Sequence, residues 1–124
     1  MNPYLLILIL SSIILSSSAQ IILKIGMNNP SVQQSIISGS KLLIVQTICT
    51  NFYVLGGLIL YFSSAVVWLF VLAKVEVSYA YPFVGLGFII TLLLAYFFAG
   101  EVFSTSKVVG TLLIALGVVI VAKG

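Results

Sequence analysis

Charge is what this chain has least of. Five lysines and two glutamates are all the charged side chains in 124 residues, or 6%, against about 25% in an ordinary soluble domain. Histidine is absent and Cys49 stands alone, so the commonest metal ligand is missing and no intrachain disulfide can form. Neither metal catalysis nor redox chemistry is expected, and no cofactor is. With acids so scarce and no His or Cys pair, nothing reads as an active site for covalent chemistry, so an enzyme is not expected. No nucleic-acid partner is expected either.

What remains is apolar. Hydrophobic residues make up 62%, against roughly 45–50% in soluble domains. The charged residues Lys24, Lys41, Lys74, Glu76, Glu101, Lys107 and Lys123 fall near the ends of the apolar stretches. This pattern belongs to a chain that lives in a bilayer. A span needs roughly 20 apolar residues, and 124 residues hold four spans with their connections. They are expected at 4–25, 52–72, 77–98 and 105–121, in a single domain over 1–124. Transmembrane β-strands alternate apolar and polar residues, and Leu5–Leu10 and Gly110–Val121 do not. The fold class is therefore all-α, a four-helix membrane protein. Ser17, Ser18 and Ala19 resemble a cleavage site, but no lysine precedes Leu5, and the first span reads as a retained helix.

The first connection is the long polar one. Pro30 ends the preceding helix, and the segment 31–50 mixes apolar residues with Gln33, Gln34, Ser38, Lys41 and Gln46. It suits either a helix lying at the membrane interface or an ordered loop followed by a longer second helix. Lysine counting does not orient the chain: Lys74 and Lys123 fall on one side, and Lys24, Lys41 and Lys107 on the other. Four helices make less than one transporter of the inverted-repeat kind. A dimer is therefore expected, either with an oppositely inserted copy or with a homologous subunit.

At about 100° per residue, Ser12, Ser16, Ser17, Gln20 and Lys24 share one arc of the first helix, roughly 140° wide. Polar groups in a span need partners or water. The serines serve close helix contacts or a site; the amide of Gln20 demands more partners and favours a site. Lys24 lies about 30 Å along the helix from Tyr4, where it either snorkels to the headgroups or meets an anionic substrate. Tyr79 and Tyr81 open the third span ahead of Pro82 and read as interfacial anchors or as site residues. Glu101 stands between the third and fourth spans, solvated beside Lys107 or in a polar contact at the membrane edge. Gly110 and Gly117, two turns apart, mark a seam for helix packing and a dimer interface.

With those residues in view, the chain resembles the small multidrug resistance (SMR) family of the drug/metabolite transporter superfamily. The resemblance rests on Met1-Asn-Pro-Tyr4, on Lys24 at the end of the first helix, and on Gly110-Thr-Leu-Leu-Ile-Ala-Leu-Gly117-Val118. It implies a four-helix SMR-type protomer that pairs to form one pathway. Drug-exporting members carry a glutamate eight residues before that lysine, where this chain has Ser16. The chain is more similar to the EamA-like branch of ArnE and ArnF type subunits, thought to flip undecaprenyl phosphate-linked aminoarabinose. Gln20-Ile-Ile-Leu-Lys24, Trp68-Leu-Phe-Val-Leu, Ala80-Tyr-Pro82, Glu101 and Gly110 carry that likeness; the longer first connection and Glu76 depart from it.

The resemblance implies a subunit of a lipid-linked sugar flippase in the bacterial inner membrane. Lys24 would attract the phosphate, Gln20, Ser16 and Ser17 would hydrogen-bond the sugar, and Tyr79 or Tyr81 would offer hydroxyls and ring faces. Two other readings stay open: a small-cation or multidrug exporter of the same fold, and an accessory membrane subunit of a glycosyltransferase or transporter.

Overall fold

A computed structural model describes residues 3–123; Met1 and Asn2 of the family-like opening lie outside it. The described chain is all-α. Helix α1 runs Pro3–Met27, α2 Pro30–Ser38, α3 Lys41–Cys49, α4 Phe52–Leu72, α5 Val77–Ala80, α6 Leu86–Phe98 and α7 Thr105–Lys123, with a 3₁₀ turn at Tyr81–Gly85 between α5 and α6. Four helical stretches are long and apolar enough to cross a membrane, namely α1, α4, the compound helix Val77–Phe98, and α7. This is a multi-pass membrane protein.

Local chemistry places the breaks. Asn29 caps α2, its side chain accepting from the Ser31 N–H, and Pro30 takes the first helical position, where no N–H is needed. Gly39, at φ 74°, turns the chain in the left-handed region. Ser40 then caps α3. The segment 31–50 is therefore neither one helix nor a loop. It is a hairpin of two nine-residue helices clasped by the Ser35 and Thr47 hydroxyls at 2.9 Å.

Helix α1 is the spine. It packs along α4 and, less extensively, against α6, while α7 touches only α6 and the 3₁₀ turn closely. At one end of the bundle Ile9, Ile13, Val71, Ala80, Phe83 and Val118 form the core. At the other, Gly26 lets α1 and α4 meet: a Cβ there would come within 2.9 Å of the Val54 backbone nitrogen. The Asn51 amide donates to the Gly26 carbonyl at 3.1 Å, while its Oδ1 accepts from the N–H groups of Tyr53 and Val54. One asparagine thus caps α4 and ties it to α1.

The 3₁₀ turn does the aiming. In a 3₁₀ helix residues i and i+3 eclipse, so Ala80 and Phe83 both enter the core while Tyr81 and Val84 share the other side. Pro82 fits here because it has no N–H to leave unpaired.

Candidate functional site

The polar arc of α1 splits into two kinds of residue. Ser12 and Ser17 are buried and join helices: Ser12 Oγ donates to the Ser64 carbonyl at 3.0 Å, and Ser17 Oγ to the Gly87 carbonyl at 3.3 Å. The first contact fastens α4 to α1, the second α6. Gly87 permits the latter, since a Cβ there would sit 3.2 Å from Ser17 Oγ. Small residues and hydroxyls are the usual means of close helix approach in lipid. Ser16, between them, donates back to the Ile13 carbonyl of its own helix at 3.0 Å and faces open space.

That space is a groove along α1, flanked by α4 on one side and by the 3₁₀ turn and α6 on the other. Its lower part, about 500 Å³, is lined by Ser12, Ser16, Tyr61, Ser64, Trp68 and Tyr81 among others. Its upper part, about 320 Å³, is lined by Ser16, Ser17, Gln20, Tyr61, Gly87 and Thr91 among others. Ser16, Tyr61 and Val84 belong to both, so the two parts are continuous. No charged side chain lines either. A third recess of about 250 Å³ shares Phe88 and Thr91 with the upper part and reaches Glu101, Lys107 and Thr111.

Burial explains what the groove can do. Every buried side-chain polar atom among the described residues has a hydrogen-bond partner. The groove's own polar groups are different. The Gln20 amide, the Tyr61 and Tyr81 hydroxyls, the Trp68 indole N–H and the Thr91 hydroxyl make no hydrogen bond within the described residues. Polar groups within a membrane span are costly unless water, a partner chain or a ligand meets them. Five such groups beside aromatic faces form a surface suited to a hydroxyl-rich molecule, because hydroxyls match donors and acceptors while ring faces cover C–H surface.

The residues expected from sequence distribute unevenly. Ser16, Ser17, Gln20 and Tyr81 come together in the groove. Lys24 is exposed one turn beyond Gln20 and lines neither part, and it has no hydrogen bond or ion pair within the described residues. Tyr79 turns the other way. Its ring lies tilted on Phe83 at 5.6 Å, it packs against the core, and its hydroxyl donates to the Ala122 carbonyl at 3.5 Å. Its place is structural, because four residues later Phe83 follows it into the core.

Glu101 is exposed in the third recess; Lys107 Nζ donates to the Val102 carbonyl at 3.3 Å. Gly110 and Gly117 face open space, with nothing within 4 Å of a Cβ at either. Tyr61 and Thr91 line the groove without any sequence motif to mark them, and Trp68, known from sequence only as part of a family-like segment, lines it too. Leu58, Tyr61, Ala65 and Trp68, at i, i+3, i+7 and i+10, trace one face of α4, and that stripe was the available signal.

No family model matches the chain, and no solved structure does. Over 70 residues it is 33% identical to the uncharacterized protein y4nH of Sinorhizobium fredii; the match covers 56% of this chain and 60% of that protein.

Proposed function

We propose that the protein is a transporter subunit that moves the polar head of a lipid-linked sugar across the bacterial inner membrane, with the polyprenyl phosphate tail remaining in lipid. One observation carries this reading: a groove open along the flank of α1, lined by unpartnered neutral hydrogen-bonding groups and aromatic rings and by no carboxylate. A head group made of hydroxyls and a phosphate needs polar contacts through about 30 Å of hydrocarbon. Gln20, Tyr61, Tyr81 and Thr91 supply them to the sugar. Lys24 receives the phosphate at one end of the path, one turn past Gln20 and with no hydrogen bond or ion pair within the described residues. Outward movement of one negative charge is favoured by an inside-negative potential, by about 2.3 kcal/mol per 100 mV. An undecaprenyl phosphate-aminoarabinose-like lipid meets this description, and the likeness to ArnE and ArnF type subunits supports it. A cation exporter of the same fold is less well supported, because Ser16 stands where the proton-competing glutamate would be.

The test is movement of polyprenyl phosphate-linked sugars in vesicles holding the purified protein. Gln20→Ala removes one groove hydrogen-bonding group, worth about 0.5–1.5 kcal/mol, and is expected to slow flipping roughly two- to tenfold at equal protein density. With no carboxylate in the groove, binding stays flat between about pH 5 and pH 8. Transport of organic cations with a steep dependence in that range, and no lipid movement, overturns the reading in favour of the exporter.

A further inference from the structure

The α2–α3 hairpin has no part in the groove, yet its construction is specific. Only Asn28 and Asn29 separate α1 from α2, and only Thr50 and Asn51 separate α3 from α4. Both ends are therefore stitched to the ends of spans. The Gln33 side chain donates to the Met27 carbonyl at 2.7 Å, and Asn51 to Gly26 at 3.1 Å. The hairpin is held where the hydrocarbon gives way to headgroups.

Its two helices present unlike surfaces. They meet through Val32 and Ser35 of α2 and Thr47 of α3. Turned away from α3, helix α2 shows Gln33 and Gln34 with Ile37 between them. Turned away from α2, helix α3 shows Leu42, Val45 and Cys49 within an arc of about 60°, bordered by Lys41 and Gln46. Leu42 is 71% exposed and Val45 57%, and what marks them is that they form one contiguous apolar strip with Cys49 rather than scattered exposed residues. Phe52 and Tyr53, three and four residues past Cys49, are also exposed and sit at the start of a span, where aromatic belts lie. On this side of the bundle three lysines, Lys24, Lys41 and Lys107, stand against one carboxylate, Glu101, and neither Lys24 nor Lys41 makes an ion pair among the described residues.

We propose that α3 is a membrane-surface anchor: its Leu42–Val45–Cys49 face lies in the acyl boundary of the bilayer and Lys41 binds anionic lipid headgroups, while α2 rides above it facing water. Continuity with the spans sets the depth and charge complementarity sets the lipid; the outer layer is the more polar of the two, with Gln33 and Gln34 flanking Ile37, itself 83% exposed. This anchor is independent of what the groove carries.

Cys49 is the sole cysteine and lies on the proposed buried face, so it takes a fluorophore without further change. Labels at Leu42→Cys and Val45→Cys in a Cys49→Ser background complete the face, and Gln34→Cys reports the opposite layer; each variant is held to the circular dichroism of the parent. The full chain is placed in vesicles of phosphatidylcholine with or without phosphatidylglycerol. Labels at 42, 45 and 49 are expected to be quenched by lipids bearing a quencher high in the acyl chain and shielded from aqueous iodide, with the label at 34 open to iodide. One lysine at the surface enriches anionic lipid locally by up to about fivefold. Quencher-bearing phosphatidylglycerol should therefore outperform quencher-bearing phosphatidylcholine of equal depth, and Lys41→Gln should remove most of that difference. Equal iodide access at 34 and 45 overturns the anchor. Shielding that vanishes when the protein is diluted to single copies per vesicle also overturns it, and assigns the face to protein contact. A lipid preference unchanged by Lys41→Gln overturns the headgroup role.

Discussion

At the residue scale, the glycines divide by what surrounds them. A Cβ on Gly26 would meet the Val54 nitrogen at 2.9 Å, and backbone cannot step aside as a side-chain tip can. A Cβ on Gly110 would meet nothing within 4 Å. Gly26→Ala is therefore expected to lower protomer stability by about 1–3 kcal/mol, as overpacking does, and Gly110→Ala to leave it unchanged within error. Reversible unfolding in mixed micelles measures both, and equal stability of the two variants contradicts the close approach of α1 and α4. Lys24 calls for a functional readout. If it receives the substrate phosphate, Lys24→Met removes a charge-assisted contact of about 1.5–3 kcal/mol and weakens binding about tenfold or more. Lys24→Arg, which keeps the charge in a different geometry, falls between. A lysine that only snorkels leaves flipping by Lys24→Met at the parental rate.

At the element scale, the third span depends on its 3₁₀ turn. A 3₁₀ residue advances about 120° and an α residue about 100°, so converting Tyr81–Gly85 into α-helix would rotate one half of the span by roughly 100° against the other. Tyr81 could not then face the groove while Ala80 stays in the core and Ser17 still reaches the Gly87 carbonyl. Pro82→Ala removes the residue that resists this conversion. If the groove carries the lipid-linked sugar, the variant is expected to slow its movement without loss of helix content, and parental activity in that variant shows that the turn holds without proline. The break also marks where sequence becomes hard to read. Pro82 signals an irregularity but not its hand or its extent. The arc on α1 was legible because five polar residues in an apolar helix cannot be an accident of composition. Which of them join helices and which line a groove was not legible, since Ser12 and Ser17 differ from Ser16 only in having α4 and α6 opposite them. The groove roles of Tyr61 and Trp68 were not legible for the opposite reason: their rings pass as ordinary apolar content in a helix rich in Leu, Val and Phe, even where Trp68 belongs to a family-like segment. The hairpin over 31–50 turned on Gly39 and the Ser40 cap, signals easily lost among polar loop residues.

At the scale of the whole molecule, burial is lopsided. One-third of the apolar window of α1 (33%) lies buried against only 6% for α7. A spine helix sheltered by its neighbours and a fourth helix touching the rest along one narrow line form a protomer with much of its surface left for lipid or for another chain. Helix α7 meets the bundle through Ile114 and Val118, which pack at Gly85. Its glycines at 110 and 117 are left on an uncovered face, where a partner helix approaches most closely in lipid. Gly117→Leu therefore separates association from folding. Because nothing lies within 4 Å of its Cβ, the protomer keeps its stability, whereas a partner helix seated on that face must move out, at about 1–3 kcal/mol by analogy with overpacked interiors. If the protein dimerises through this face, Gly117→Leu is expected to weaken the dimer roughly fivefold or more, read by energy transfer between differently labelled copies in vesicles of graded protein density. Gly85→Leu serves as the converse control, since its side chain collides with Ile114 inside the protomer and destabilises folding itself. Undiminished energy transfer in Gly117→Leu, with folding intact, rules α7 out as the proposed interface and leaves the open flank of the α1 groove as the next face on which a second copy could sit.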